Sequence, residues 1–370
     1  MRFIFLTSYK YPSARPVYIY MKSMATAFNR VLAGDFTFVI AGPLGDNFGN
    51  TNVISINSWA SLRSVFYFFY LPYFILAKKY NTKETVLFSN DPYLSVTLIF
   101  WRKVLRFRYK VFSDWHQLFE DWRDNFIAKN SDYLVSTTKK IKDSIVRASG
   151  INSHKVLVSY GGVDVEMFKH TSETIKDLRK RLGFPLDGTL VGYVGFYKTM
   201  GMEKGVGTMT AALTYISDKN IKMIFVGAMD KKEIEENQAI AENLGVSDRA
   251  FFLKAVKAHE VPAFEQAMDM LVIPYPDKPH FREYGFPMKV YEYMFSKKPI
   301  VYSNLPIIDE MLFDCAISSI PDNPKDLANK ITYLYENPEA GRKLADKAFL
   351  KVLGCTWDKR AENIVKFVKL

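Results

Sequence analysis

Lys289 and Glu292 stand three residues apart in EYGFPMKVYEYMFSKKPIVYS, residues 283–303 of a 370-residue chain. On a helix that spacing brings both side chains near one face. A lysine there can neutralise a phosphate, and a carboxylate one turn on can accept two sugar hydroxyls. The predicted helix opens beside Gly285 and Pro287, so its first N–H groups and positive dipole end are expected to meet an anion. Taken alone, the two residues favour an ordinary surface ion pair; the longer string changes that reading.

Pro287, Lys289, Val290, Tyr291, Glu292, Tyr293, Met294, Lys298, Pro299 and Ile300 together resemble the signature of glycosyltransferase family 4. The resemblance implies that Glu292, the closing member of an E-x7-E pattern, binds the ribose of a nucleotide-sugar donor. The opening position of that pattern falls on Tyr284, with Glu283 one residue before it. Either Glu283 reaches in by a local shift, as a catalytic carboxylate, or backbone groups around Gly285 do that work. Tyr284, Gly285 and Phe286, with the loop at 254–257, are expected to shape the choice of base and sugar.

Three more segments carry the same resemblance. LVGYVGFYKTMGMEKGVGTMTAAL looks like the family's strand, glycine, arginine and Lys-Gly segment, which implies that Lys204 contacts the donor diphosphate. The arginine position is Phe196, and Lys198, two residues on, is the candidate substitute, although lysine lacks arginine's rigid two-pronged fork. SYGGVDVEMF is similar to the family's N-G-V-D segment, with Gly161 where asparagine is usual. In SDWHQL, His116 takes the position of a strand-ending histidine, which by resemblance contacts the transferred sugar near its reacting centre.

The elements that must position these residues follow from the order of apolar runs. Strands are expected at 2–7, 36–41, 53–56, 85–88, 109–113, 133–136 and 155–159, with helices at 17–32, 92–105 and 138–149. The alternation restarts at Thr189 with TLVGYVG, IKMIFVG, FFLKA and DMLVIPY, separated by helices at 205–217, 231–244 and 259–267. Repeated strand–helix alternation predicts an α/β chain with doubly wound parallel sheets. The resemblance implies the GT-B arrangement, two tandem Rossmann-like domains with an inter-domain cleft. The expected domains are 1–165, for the acceptor, and 166–356, for the nucleotide sugar, with a last helix at 357–370 packing back on the first.

Charge and aromatics are uneven. Of the net charge of +11, +10 falls in residues 1–165, along with Trp59, Trp101, Trp115 and Trp122 of the five tryptophans. Residues 58–80 are the most apolar stretch, ending at Lys78 and Lys79. Its apolar core is too short to span a bilayer and holds Pro72, so it is either a core helix or an interfacial one. WRKVLRFRYK, residues 101–110, adds Arg102, Lys103, Arg106, Arg108 and Lys110, which either solvate a helix end or attract anionic lipid. No nucleic-acid motif accompanies the charge. Cys315 and Cys355 make no disulfide framework and fit a reducing compartment, and the short apolar N-terminus reads as a strand rather than a signal peptide.

The expected activity is retaining transfer of a sugar from a nucleotide-diphosphate sugar to a glycan or lipid-linked acceptor. It would serve cell-surface polysaccharide or glycoconjugate synthesis, in the cytoplasm or on the cytoplasmic membrane face. No metal or other cofactor is expected, since no D-x-D pair stands at a strand end. The rival readings are a nucleotide-sugar 2-epimerase and a non-enzymatic basic membrane-surface or nucleic-acid-binding protein with a decayed nucleotide-sugar site.

Overall fold

Strands covered on both faces read as unbroken apolar runs, and the two sheets are built from such runs. The computed structural model describes residues 1–10, 16–42, 48–56, 63–169 and 173–369. Parts of the expected loop before α1, of the turn after the second strand, and the start of the 58–80 segment with Trp59 lie outside the described residues. The chain divides into Met1–Gly161 with Trp357–Leu370, and Gly162–Thr356. Residues 162–165, read from the sequence as the end of the first domain, sort with the second. There Val163 bridges Thr356, and its N–H donates to the Cys355 carbonyl at 3.0 Å.

The first unit holds β1 (Arg2–Lys10), β2 (Phe36–Ala41), β3 (Val53–Ile56), β4 (Thr85–Ser89), β5 (Lys110–Trp115), β6 (Tyr133–Ser136) and β7 (Val156–Val158). They pair in parallel in the order β3-β2-β1-β4-β5-β6-β7. Its helices are α1 (Pro16–Leu32), α2 (Arg63–Ala77), α3 (Pro92–Val104), α4 (Trp122–Asn130) and α5 (Lys139–Ser149). Local chemistry sets their ends. Asp91 accepts from the N–H groups of Tyr93 and Leu94 to start α3, with Pro92 at its first position. Thr138 starts α5 in the same way, and Gly150, at φ 68°, ends it.

The second unit runs α6 (Ile175–Leu182), β8 (Thr189–Val194), the hairpin β9 (Lys198–Thr199) and β10 (Met202–Glu203), α7 (Val206–Ala212), β11 (Ile221–Ala228), α8 (Lys231–Asn243), β12 (Ala250–Lys254), α9 (Val261–Gln266) and β13 (Met270–Ile273). It continues with α10 (Lys289–Phe295), β14 (Ile300–Ser303), α11 (Pro306–Leu312), β15 (Ile317–Ser319), α12 (Pro324–Glu336) and α13 (Pro338–Val352). The six-stranded sheet is parallel in the order β12-β11-β8-β13-β14-β15. Chain direction across it reverses between β8 and β13, and ligands of doubly wound sheets bind beyond the strand ends at such a point. The helix expected over 205–217 is shorter: α7 stops at Ala212 and gives way to a 3-10 turn, Leu213–Tyr215.

The last helix, α14 (Trp357–Lys369), belongs to the first unit. It packs along α1, where Arg30 pairs with Asp358 at 2.6 Å. Phe367 meets the rings of Phe112 and Tyr133, with centroids 6.3 and 5.8 Å away.

Candidate functional site

In the second unit, the ends of β8 and β13 and the start of α10 gather two lysines. Lys289, the first residue of α10, is buried, and its ammonium lies 3.5 Å from the centroid of the Tyr193 ring. Tyr275, just beyond β13, lies below both lysines, 5.7 Å from the Lys289 nitrogen and 5.9 Å from that of Lys204. Aromatic faces attract cations but do not accept them as a carboxylate does. The Lys289 nitrogen has no hydrogen-bond partner among the described residues. Burial, then the charge of Lys204, pushes the Lys289 amine well below its ordinary range, while Glu292 and Glu265 pull the other way. Burial alone lowers Lys204 to about 8. Two amines held together without a bonded carboxylate suit an anion, whose charge would favour their protonated forms.

Two glycines make this approach possible. A Cβ on Gly195, which sits at φ 140°, would meet the Lys289 nitrogen at 2.6 Å. One on Gly205, at φ 88°, would meet the Pro274 carbonyl oxygen at 1.6 Å. Gly205 therefore lets the Lys204 loop close on the end of β13. Glu203 holds that loop by accepting from the N–H groups of Gly205 and Gly207, at 2.8 and 3.1 Å. Tyr293 ties α10 to β8, its hydroxyl taking the Val194 N–H at 2.8 Å.

Glu292 lies one turn after Lys289. Burial pushes its carboxyl up to about 7 against the pull of Lys289. Behind it is Glu265 of α9, fully buried, with neither carboxylate oxygen hydrogen-bonded. Burial, then the charge of Glu292, raises Glu265 well above the carboxylate range. His280 also comes near, its pKa lowered by burial and by Lys204.

The stretch before α10 departs from expectation. Residues His280–Tyr284, including Glu283 and Tyr284, form a π-helical turn closed by Gly285 N–H to the His280 carbonyl, 2.7 Å. Gly285 lets the His280 ring pack against the turn, since a Cβ there would meet the ring nitrogen at 2.7 Å. The helix start expected after Gly285 is partly closed by its own turn. The N–H groups of Val290, Tyr291 and Glu292 already donate to Pro287 and Met288 carbonyls, at 3.1, 3.0 and 3.4 Å. The amides of Gly285 and Phe286 are likewise used within the turn, and the Phe286 ring packs on Tyr291 with centroids 5.1 Å apart. Lys198 is also placed differently. Its ammonium lies 3.6 Å from carboxylate oxygens of both Glu233 and Glu236 on α8, so it is paired there rather than gathered with Lys204 and Lys289.

In the first unit, His116 follows β5. Its Nε2 lies 3.3 Å from the buried Asp114 carboxylate, and its ring meets Tyr20 edge-on at 4.5 Å. Asp114 and His116 are two apart at a strand end, so both side chains leave on the same side. Asp114 also takes the Tyr20 hydroxyl and the Arg360 guanidinium, the latter at 2.7 Å. Burial alone would raise the Asp114 carboxyl, but Arg360 and His116 hold it well below the usual range. Arg360 comes from α14 and also donates to the Tyr160 carbonyl at 3.2 Å. A histidine with a fixed carboxylate behind it has a set orientation and tautomer.

The family described as glycosyl transferases group 1 matches residues 174–351. That match falls within the second unit. A D-inositol 3-phosphate glycosyltransferase of Xylanimonas cellulosilytica is 27% identical over 151 residues, 39% of this chain and 35% of the relative. Another, from Corynebacterium urealyticum, is 24% identical over 256 residues, 66% of this chain and 58% of the relative. The chain thus spans between about a third and three fifths of the length of these curated relatives. The Anabaena protein HepE, solved in complex with UDP, superposes over 100% of both chains with a TM-score of 0.78 at 16% identity. The fold of this chain is GT-B, two doubly wound parallel sheets in tandem.

Within the second unit, Lys204 and Lys289 both lie near Tyr275, and Glu292 follows Lys289 by one helical turn. Glu265, Tyr275, Tyr193 and His280 escaped the sequence reading, as did Asp114, Tyr20 and Arg360 in the first unit. Only Asp114 left a local signal, its D-x-H spacing at the end of an apolar run. Glu265 lies in VPAFEQAMD, where nothing distinguishes it from an exposed helix residue.

Proposed function

We propose that the protein is a retaining glycosyltransferase of family 4 that moves a sugar from a nucleoside-diphosphate sugar to a hydroxyl of a glycan or lipid-linked acceptor. The observation that carries this is the buried, unpartnered Lys289 ammonium beside Lys204, at the reversal point of the second sheet. The names of the relatives and the UDP held by the Anabaena protein support it. In this reading the bond from the anomeric carbon to the donor phosphate breaks, and one from that carbon to the acceptor oxygen forms on the same face. The hydroxyl proton passes to the leaving diphosphate. Lys204 and Lys289 stabilise the charge growing on that diphosphate, and need no metal to do so. Glu292 accepts the ribose hydroxyls, and its proximity to Lys289 favours the ionised form that can do so.

Glu283 and Glu292 are separated by one residue more than E-x7-E allows, and the π-turn at His280–Tyr284 holds one more residue than an α-turn. That accommodates Glu283 as the opening carboxylate. His116, oriented by Asp114, would contact the transferred sugar. Free Cys315 and Cys355 fit a cytoplasmic site of action, and a cell-surface polysaccharide or glycoconjugate is the proposed product. The test is a panel of nucleotide sugars read by thermal shift and by release of nucleoside diphosphate. One donor is expected to raise Tm in the wild type and not in Lys289→Ala. A panel that leaves Tm unmoved throughout overturns the reading.

A further inference from the structure

The helix α2 is apolar on both sides. One side, with Tyr67, Leu71, Phe74 and Ile75, fills the core of the first unit. The other carries Val65, Phe69, Tyr73 and Leu76, which are 54, 67, 66 and 54% exposed. Their spacing of four, four and three makes a single stripe. The outer face of a helix in water ordinarily carries charge; here it carries four large apolar side chains. The stripe extends onto α3. Phe68 bridges the two helices, with ring centroids 5.2 Å from both Phe69 and Phe100, and Phe100, Val104 and Leu105 are exposed beyond it.

Cations rim this surface. Lys78 and Lys79 follow α2, and Lys103, Arg106 and Arg108 lie at and after the end of α3, all exposed. The Arg108 N–H donates to the Asn81 side chain at 2.6 Å, which joins the two basic turns. Two of the five charges in 101–110 are spent elsewhere. Arg102 is paired with Asp132 and bonded to the Asn130 carbonyl, and Lys110 donates to the Tyr133 hydroxyl at 3.1 Å. No acidic residue occurs in 63–83 or in 92–113. Repulsion therefore does not oppose an anionic surface.

We propose that this face of α2 and α3 docks the protein on an anionic bilayer, with Phe69, Tyr73 and Leu76 entering the headgroup layer. Fifteen residues of helix reach about 22 Å, short of the roughly 30 Å hydrocarbon core, so α2 lies along the interface and does not cross it. No described helix is long and apolar enough to span a membrane. The charge rim selects lipid over a protein partner: five cations and no acid beside an aromatic stripe complement a uniformly negative plane. The inference is independent of what the second unit binds.

Co-sedimentation of the full chain with phosphatidylcholine vesicles, with and without phosphatidylglycerol, tests it. Wild type is expected to pellet with the anionic vesicles and to be released by salt. Removing Lys78, Lys79 and Arg108 together as glutamines should weaken partition roughly a hundredfold, at about fivefold per charge. F69S/Y73S/L76S should abolish it. The three side chains are exposed, so the fold is expected to persist, and an unchanged urea midpoint checks that. Absence of wild-type binding at low salt overturns the proposal. So does equal binding by the serine variant, or a wild-type dimer that this variant loses, which would make the face a protein interface. None of these outcomes bears on donor binding.

Discussion

The two units each bury a cluster of charge, and the clusters are built on opposite plans. In the first unit, Asp114 is bonded by Arg360, Tyr20 and His116, so its buried charge is fully compensated. In the second, Lys289 and Glu265 are as deeply buried, yet their polar atoms have no bonded partner, and burial pushes both toward their neutral forms. A buried charge is tolerated when paired and costs several kcal/mol when it is not. Only the first cluster is complete within the chain. The first holds a histidine in place within the folded chain, whereas the second, in the proposed function, is completed by the donor's diphosphate.

Breaking the finished cluster should have the largest effect. Arg360→Met leaves Asp114 buried without its cation, at a cost of about 3–5 kcal/mol in folding. Urea unfolding measures this; a loss under about 1 kcal/mol would mean that Asp114 is compensated without Arg360. The unfinished cluster should respond in the opposite sense. Lys289→Met removes an ammonium that nothing bonds, so the urea midpoint should hold or rise, while donor affinity falls by about 1.5–3 kcal/mol, or ten- to a hundredfold. Calorimetric titration with UDP and the donor gives the second number; loss of folding stability in place of affinity contradicts the comparison.

His116→Ala separates positioning from binding. It leaves the Asp114–Arg360 pair intact, so turnover should fall well beyond donor affinity. Equal losses would make the histidine structural. A pH series sharpens the second cluster. In the proposed mode, donor binding needs Glu292 ionised and Lys204 protonated, and burial sets their pKa values at about 7 and about 8. Affinity should therefore rise as pH passes 7 and decline above 8, and Glu292→Gln should remove the lower limb. Folding stability runs the other way at both groups. The part held by Glu292 is lost as pH rises from 4.5 toward 7, and the part held by Lys204 as pH falls from 10.5 toward 8. The smallest effect is expected at Lys198. Its pairing with Glu233 and Glu236 is half exposed, so Lys198→Ala should cost about 0–1 kcal/mol of stability and leave donor affinity unchanged. A tenfold loss of affinity would return it to the donor site.

The succession of apolar runs from Arg2 to Ile273 was enough to anticipate two parallel sheets, because strands buried on both faces need nothing but apolar side chains; the edge strand Ile317–Ser319 was not read. Lys289 and Glu292 could be placed on one helical face from spacing alone, because a helical period is local. The glycines at 195 and 205 were visible as motif positions, but their reason was not. It lies in the Lys289 nitrogen and the Pro274 carbonyl, which come from distant parts of the chain.

Charge partners were decided by tertiary structure. Arg360 meets Asp114 across 246 positions, and Lys198 and Arg102 turn to carboxylates on neighbouring elements. Glu265 looks in sequence like any helical glutamate, and only packing removes it from water. The same holds for α2, whose fifteen residues are apolar almost throughout. The sequence determined by itself that the helix would be apolar, since composition is local. Which of its aromatics fill the core and which face outward depends on the sheet beneath and the helix beside it, contacts that no local period encodes.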